Sequence, residues 1–238
     1  MIAIDQILRL PLLPVLIAQG LAVRRKALRL PEPEGPRQGR MGSGPPLRLL
    51  IAGDSSAAGV GAAHQDQALA GQLVTRLAPR WEVHWRLEAT TGHATADTLQ
   101  RLTNLPAQPF DVAVLALGVN DVTGAVSQRR FARQQKGLAR LLADRFGVRQ
   151  ILACGVPQME HFPALPQPLA WALGRQAQRL DNRLARLSMQ IFGLHHLPFE
   201  LPSDPELAAE DGYHPNPRAY ALWAERLAKE IEKNLLRD

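Results

Sequence analysis

Four short polar segments contain the residue types that acyl-transfer chemistry needs. They read GDSSAAG, TTGHAT, GVND and DGYHP, and they supply Ser55, Gly92, Asn120 and the pair Asp211 and His214. A serine hydroxyl is a weak nucleophile until a base within hydrogen-bond reach takes its proton. The combination therefore predicts a hydrolytic site in which Ser55 is the nucleophile and His214 is the base.

The remaining parts of such a site follow from the same chemistry. An imidazole base needs a carboxylate that fixes its tautomer, and Asp211 lies only three residues before His214, so that one turn can hold both. The tetrahedral intermediate needs donors aimed at its oxyanion. The candidates are the backbone N–H groups of Ser55 and Gly92 and the side-chain amide of Asn120. A glycine suits this position because its bare backbone allows the oxyanion to approach closely.

Other residues compete for some of these roles. Three carboxylates are alternative orienting acids, namely Glu200, Asp204 and Glu210, and we prefer Asp211 because it shares a tight turn with the histidine. A second serine, Ser56, directly follows the nucleophile, so the assignment to Ser55 depends on its register with Gly53 and Asp54. We interpret Asp54 and Asp121 as structural.

The stretches between these segments predict the framework that would bring them together. Apolar runs typical of strands are LRLLIAGD, WEVHWRLEAT, DVAVLALG and RQILACGV, with GLHHLPFEL as a weaker fifth. Helical patterns separate them, at about residues 66–78, 94–104, 127–145, 168–190 and 216–236. Continuous apolar strands alternating with helices indicate a parallel sheet covered on both faces. Ligands of such sheets bind at the carboxyl ends of the strands, where the polar segments fall.

In this order, the four segments resemble the blocks of the SGNH or GDSL hydrolase family, over about residues 48–235. Gly59 lies four residues after Ser55, as in that family, whereas Ser56 replaces its usual bulky apolar residue. The resemblance implies a three-layer α/β/α flavodoxin-like fold with a parallel sheet of about five strands. It also implies the catalytic roles given above, hydrolysis of esters or thioesters, and neither a metal nor an organic cofactor.

We therefore expect a serine esterase that forms an acyl-enzyme on small-molecule or lipid esters. Thioesterase, lysophospholipase or sugar O-deacetylase activity on the same site are alternatives, and so is a catalytically silent binding module. The sequence determines neither the acyl and alcohol pockets nor the oligomeric state. Candidates for lining the pocket are His93, His161 and Phe162, which fall in predicted strand-end loops.

Composition limits the choice of partner and compartment. The net charge is +6, but the arginines are scattered along helical stretches, which disfavours a nucleic-acid site. A single cysteine, Cys154, excludes an intrachain disulfide and fits a reducing compartment. We expect a cytoplasmic protein, and association with a membrane surface remains open.

The N-terminal region is separate from these blocks, so we divide the chain into a segment with a linker, 1–46, and a hydrolase domain, 47–238. Residues 10–22 are mostly apolar, but they are too few to span a membrane and their flanking charges do not fit a cleaved signal peptide. Apolar residues recur at helical spacing, although Pro11 and Pro14 should interrupt a helix. An Arg-Arg-Lys cluster follows. Two roles remain open: peripheral membrane contact through residues 1–26, or docking on the domain.

Overall fold

The computed structural model describes residues 4–199 and 204–235, with side chains from residue 10 onward. Within this part of the chain, six strands form one sheet: β1 Gln38–Met41, β2 Pro46–Gly53, β3 Glu82–Ala89, β4 Val112–Ala116, β5 Gln150–Cys154 and β6 Leu194–Leu197. The α-helices are α1 Ile4–Lys26, α2 Ser55–Ala58, α3 Leu69–Leu77, α4 Thr95–Asn104, α5 Val119–Thr123, α6 Gln128–Phe146, α7 Leu169–Ser188 and α8 Pro217–Leu235. Two short 3₁₀ helices cover Met159–His161 and Pro205–Leu207.

The sheet has the order β1-β3-β2-β4-β5-β6, and β2 to β6 run parallel. The two faces of β2 show how the layers form. Leu49 and Ile51 pack in the core cluster that contains residues of α3 and α8. Leu50 and Ala52 point the other way, into the cluster formed with α4, α6 and α7. Both faces are therefore covered, and the predicted three-layer α/β/α fold is confirmed.

The sheet also contains one strand that the sequence analysis did not predict. Strand β1 lies within the Pro- and Gly-rich stretch 31–46 and pairs antiparallel with β3, so that Gln38 opposes Arg86. The parallel part of the sheet has the expected five strands, and β1 adds an exposed edge. Its four residues, QGRM, have no apolar alternation, which is why the pattern gave no strand signal.

Ile4–Lys26 form one continuous helix, so the expectation that Pro11 and Pro14 would interrupt it is wrong. Each proline removes one backbone hydrogen bond. Both prolines are exposed, which lets water hydrate the freed carbonyl groups. Helix α1 packs against α7.

The side chain of Gln19 on α1 makes two hydrogen bonds to the start of α7 and the residues before it. The Gln19 amide nitrogen donates to the carbonyl oxygen of Gln167 at 2.6 Å. Its amide oxygen accepts from the backbone N–H of Leu169 at 3.0 Å, at the first residue of α7. Docking on the domain, one of the two roles left open by the sequence, is therefore observed. None of the helices in the described part of the chain has the length and apolar character to span a bilayer.

Candidate active site

The turn after β2 presents two adjacent serines to different partners. Asp54 caps the short helix α2, and its Oδ1 accepts from the Ser56 backbone N–H at 2.9 Å and from the Ser56 hydroxyl at 2.7 Å. Its own N–H donates to the carbonyl oxygen of Ala116 at 3.1 Å, which ties the turn to the end of β4. The Ser56 hydroxyl is therefore engaged in capping, whereas Ser55 faces the histidine.

Three side chains form a hydrogen-bonded chain at the carboxyl edge of the sheet. The distance from Ser55 Oγ to His214 Nε2 is 2.8 Å, and that from His214 Nδ1 to Asp211 Oδ2 is 2.5 Å. Ser55 and His214 are 159 residues apart in sequence, so the fold alone brings them together. This arrangement can take a proton from the serine hydroxyl and stabilise the imidazolium that results.

The second oxygen of Asp211 is also fixed. Oδ1 accepts from the backbone N–H of Tyr213 at 2.9 Å and from that of His214 at 3.1 Å. Burial alone would raise the pKa of Asp211, but the hydrogen bonds from the His214 ring and from these two N–H groups outweigh it, and the pKa is lowered. The carboxyl group is therefore held in its ionised form, which a histidine partner requires.

The rival acids lie elsewhere or outside the described residues. The side chain of Asp204 caps the short helix at 205–207, where it accepts from the Glu206 N–H at 2.9 Å. Glu210 is exposed. Glu200 falls outside the described ranges. Of the candidates that the structure describes, Asp211 is the one hydrogen-bonded to the histidine ring.

The three oxyanion donors named from the sequence lie on segments that meet the same cleft. Gly92 has a φ of +85°, a conformation that side chains rarely adopt, and a Cβ added there would meet no protein atom within 4 Å. Within the described residues, the backbone N–H groups of Ser55 and Gly92 donate to no other protein group. The Asn120 amide donates one hydrogen to the carbonyl oxygen of His93 at 3.0 Å. Because an amide carries two hydrogens, the second stays available.

Asp121 joins two of these segments behind the site. Its Oδ2 accepts from the Thr95 backbone N–H at 3.0 Å and from the Thr95 hydroxyl at 2.8 Å, which ties α5 to the start of α4. Gln135 of α6 donates to the same hydroxyl at 3.1 Å. Burial raises the pKa of Asp121, and the hydrogen bonds from Thr95 oppose that rise only in part. This network supports the structural interpretation of Asp121.

The chain Ser55–His214–Asp211 opens onto a cleft of about 1100 Å³. Its walls are mainly apolar, with contributions from Leu117, Met159, Leu165, Leu173 and Trp223. His161 and Phe162 line it as the sequence suggested, whereas the side chain of His93 does not; only its carbonyl oxygen meets Asn120.

Part of this cleft could not be anticipated from the catalytic motifs. Ile17, Gly20, Leu21, Val23 and Arg24 of α1 form one wall. The helical spacing of the apolar residues in α1 was visible in the sequence. The position of α1 beside the cleft depends on contacts with α7, about 150 residues further along the chain, and no local pattern encodes it.

Residues 51–222 match the model of the GDSL-like lipase/acylhydrolase family. The chain belongs to this family. The match covers most of the chain and includes all five residues proposed for catalysis, whereas α1 and β1 lie before it. No curated protein matches the sequence.

Several solved structures have a similar fold. The psychrotrophic esterase EstA from Pseudoalteromonas sp. has a TM-score of 0.59 and 18% identity, over 79% of this chain and 98% of that esterase. The structure of TesA has a TM-score of 0.59 and 22% identity, over 79% and 97% of the two chains. A carbohydrate esterase family 2 enzyme from Myceliophthora fergusii has a TM-score of 0.63 and 17% identity, over 85% and 68%. At these identities the similarity shows a shared fold, and the family makes the protein a hydrolase.

Proposed function

We propose that the protein is a carboxylic-ester hydrolase that works through an acyl-enzyme on Ser55, within a hydrolase domain that begins near residue 47. The observation that carries the proposal is the unbroken hydrogen-bonded chain from the Ser55 hydroxyl through His214 to Asp211. A silent binding module has no need for a serine, an imidazole and a carboxylate in this register.

The reaction then has two balanced halves. His214 Nε2 takes the hydroxyl proton as Ser55 Oγ forms a bond to the ester carbonyl carbon, and the carbonyl oxygen becomes an oxyanion. The N–H groups of Ser55 and Gly92 and the amide of Asn120 stabilise that charge. The intermediate collapses, the bond to the alcohol oxygen breaks, and His214 returns the proton to that oxygen. Water repeats the sequence on the acyl-enzyme and releases the acid.

The shape of the cleft favours esters with an apolar acyl group. Leu117, Met159 and Phe162 line the cavity that Ser55 faces, and apolar walls stabilise a hydrocarbon chain by removing it from water. A sugar acetate would gain little from such walls. A thioester with the same acyl group would fit equally well, so the leaving group has to be tested separately.

A fluorophosphonate probe tests the nucleophile, and Ser56 provides a matched control in the next position. We expect labelling of the wild type and of Ser56→Ala, but not of Ser55→Ala, because the Ser56 hydroxyl donates to the Asp54 carboxylate instead of facing His214. Both variants should fold, since Asp54 keeps its bond from the backbone N–H at position 56.

A panel of esters and thioesters that vary the acyl and leaving groups independently completes the test, with Ser55→Ala as the blank. If labelling disappears in Ser56→Ala and persists in Ser55→Ala, the nucleophile is Ser56 instead. A folded protein that is neither labelled nor active on any member of the panel would refute the proposed function and favour a binding module.

A further inference from the structure

Helix α1 carries a row of apolar side chains that its docking leaves in water. Leu10, Leu13, Ile17 and Leu21 are 70%, 50%, 54% and 50% exposed. Their spacing of three, four and four residues places them along one face of the helix. Gln19 and the partly buried Leu12, Leu16 and Val23 are on the side that meets the domain. The helix therefore has one apolar side that packs on the domain and another that is exposed. Exposed groups of large apolar side chains mark interaction sites.

Cations cluster at the end of the same helix. Arg24, Arg25 and Lys26 form its last turn, and all three side chains are exposed. A helix that presents large apolar side chains beside a group of cations is typical of binding in the plane of an anionic membrane surface. The charge of the whole chain, +6, has the sign that such a surface attracts.

The exposed row continues into the catalytic cleft. Ile17 and Leu21 belong both to the row and to the cleft wall, and Arg24 lies at the same wall. Ser55 lines the same cavity. Whatever covers the exposed face of α1 therefore also lies beside the cleft that contains the serine.

We infer that α1 binds an anionic lipid bilayer surface and holds the mouth of the cleft against it. The apolar row enters the region between headgroups and acyl chains, and the cations of the last turn meet the phosphates. If the proposed ester hydrolysis is correct, the substrate is then an amphiphilic ester whose acyl chain passes from the bilayer along Ile17 and Leu21 to Ser55. A protein partner would explain the apolar row but would not require the adjoining cations.

Vesicle binding tests the surface without touching the cleft. Wild-type protein should co-sediment with vesicles of phosphatidylcholine and phosphatidylglycerol and bind much more weakly to phosphatidylcholine alone. Arg25→Gln/Lys26→Gln should weaken binding about 25-fold, since each cation near an anionic surface contributes about fivefold. Leu10→Gln/Leu13→Gln should weaken it on the order of 30-fold through lost burial of apolar area. None of these four residues lines the cleft.

Matched controls lie elsewhere on the surface of the protein. Arg129→Gln/Arg133→Gln removes the same charge from exposed positions of α6, and Met189→Gln/Leu222→Gln removes two exposed apolar side chains elsewhere. Both controls should bind vesicles like the wild type. The inference is overturned if the wild type does not bind the anionic vesicles, or if the controls lose as much binding as the α1 variants. It is also overturned if binding is unaffected by the α1 substitutions.

A pair of nitrophenyl esters separates this inference from the proposed function. A short-chain ester is soluble, and a long-chain ester is embedded in the anionic vesicles. The α1 variants should hydrolyse the soluble ester like the wild type and lose activity on the embedded one. Vesicle binding without hydrolysis of either ester would refute only the proposed function. Hydrolysis of the soluble ester without vesicle binding would refute only the membrane inference.

Discussion

Replacing Asp211 with asparagine should inactivate His214 by holding its imidazole in the wrong tautomer. The hydrogen bonds within the turn allow the new amide group only one orientation. The two N–H groups of Tyr213 and His214 both point at Oδ1. An asparagine must place its carbonyl oxygen there, since its NH₂ group would meet two donors. The NH₂ group then faces His214 Nδ1, which becomes an acceptor, so the proton moves to Nε2. A protonated Nε2 cannot accept the proton of Ser55.

The size of the effect follows from that geometry. The productive tautomer is disfavoured by the loss of one charge-assisted hydrogen bond and by a new bond that holds the wrong tautomer. A triad altered in this way loses about 10⁴-fold in kcat. Asp211→Ala leaves His214 free to adopt either tautomer, so its kcat should be reduced no more than that of Asp211→Asn. If loss of side-chain volume determined the effect, Asp211→Ala would instead have the lower kcat.

The assay is the steady-state hydrolysis of a soluble ester by the wild type and both variants, with Ser55→Ala as the blank. The rate of fluorophosphonate labelling provides a second readout that does not depend on substrate binding. If Asp211→Asn keeps more than about a tenth of the wild-type kcat, the orienting role of Asp211 is wrong. If Asp211→Ala is clearly more damaged than Asp211→Asn, the tautomer argument is wrong even if Asp211 is essential.

Stability offers an independent check on the same residue. The pKa of Asp211 is lowered in the folded protein, so its ionised form stabilises the fold above the unfolded pKa of about 3.9, and this contribution is lost as the pH falls through the folded pKa. Asparagine does not titrate. The difference in free energy of unfolding between the wild type and Asp211→Asn should therefore be largest above about pH 4 and shrink below it.

Two other predictions concern neighbouring residues. Asn120→Ala should lower kcat by about 10²–10³-fold with little change in KM, because the amide acts on charge that develops in the transition state. An effect confined to KM would refute this prediction. Asn104→Ala, at the end of α4, is the control. Burial raises the pKa of Asp121 in the folded protein, so ionising this carboxyl group destabilises the wild type above the pKa of the unfolded state. Asp121→Asn does not titrate and should therefore gain stability relative to the wild type as the pH rises from about 4 to 7. A relative stability that is constant over this range in urea titrations would contradict the second prediction.

Much of the fold and of the candidate site is encoded locally. Strand β4 is a continuous apolar run, and β5 is apolar after Gln150; every residue in both strands is buried, as the pattern indicates for the centre of a parallel sheet. Ser55 and Asn120 lie just after the ends of β2 and β4, so the topology of a parallel sheet is enough to predict that they converge. His214 lies further from a strand end, between β6 and α8. The roles of these residues stay predictions.

The features that the sequence did not reveal depend on distant partners. The nucleophile is a partial example: its register with Gly53 and Asp54 indicated Ser55, but the contact with His214 that separates it from Ser56 joins residues 159 apart in the chain. The docking of α1 is another, because Gln19 looks like the end of an apolar face until the backbone of Gln167 and Leu169 is placed beside it.

Strand β1 has a consequence for how the protein can be shortened. The eight-residue strand β3 would be the outer edge of the sheet without it, with a row of unpaired main-chain donors and acceptors. Such an edge can recruit a strand from another molecule and start aggregation. Residues 38–41 pair with this edge of β3 and so prevent a strand from another molecule from pairing there. A shortened protein that begins where the family match begins, at residue 51, would also lose residues 46–50, more than half of β2. Any fragment intended to avoid this edge-to-edge association should therefore begin before Gln38, even if it omits α1.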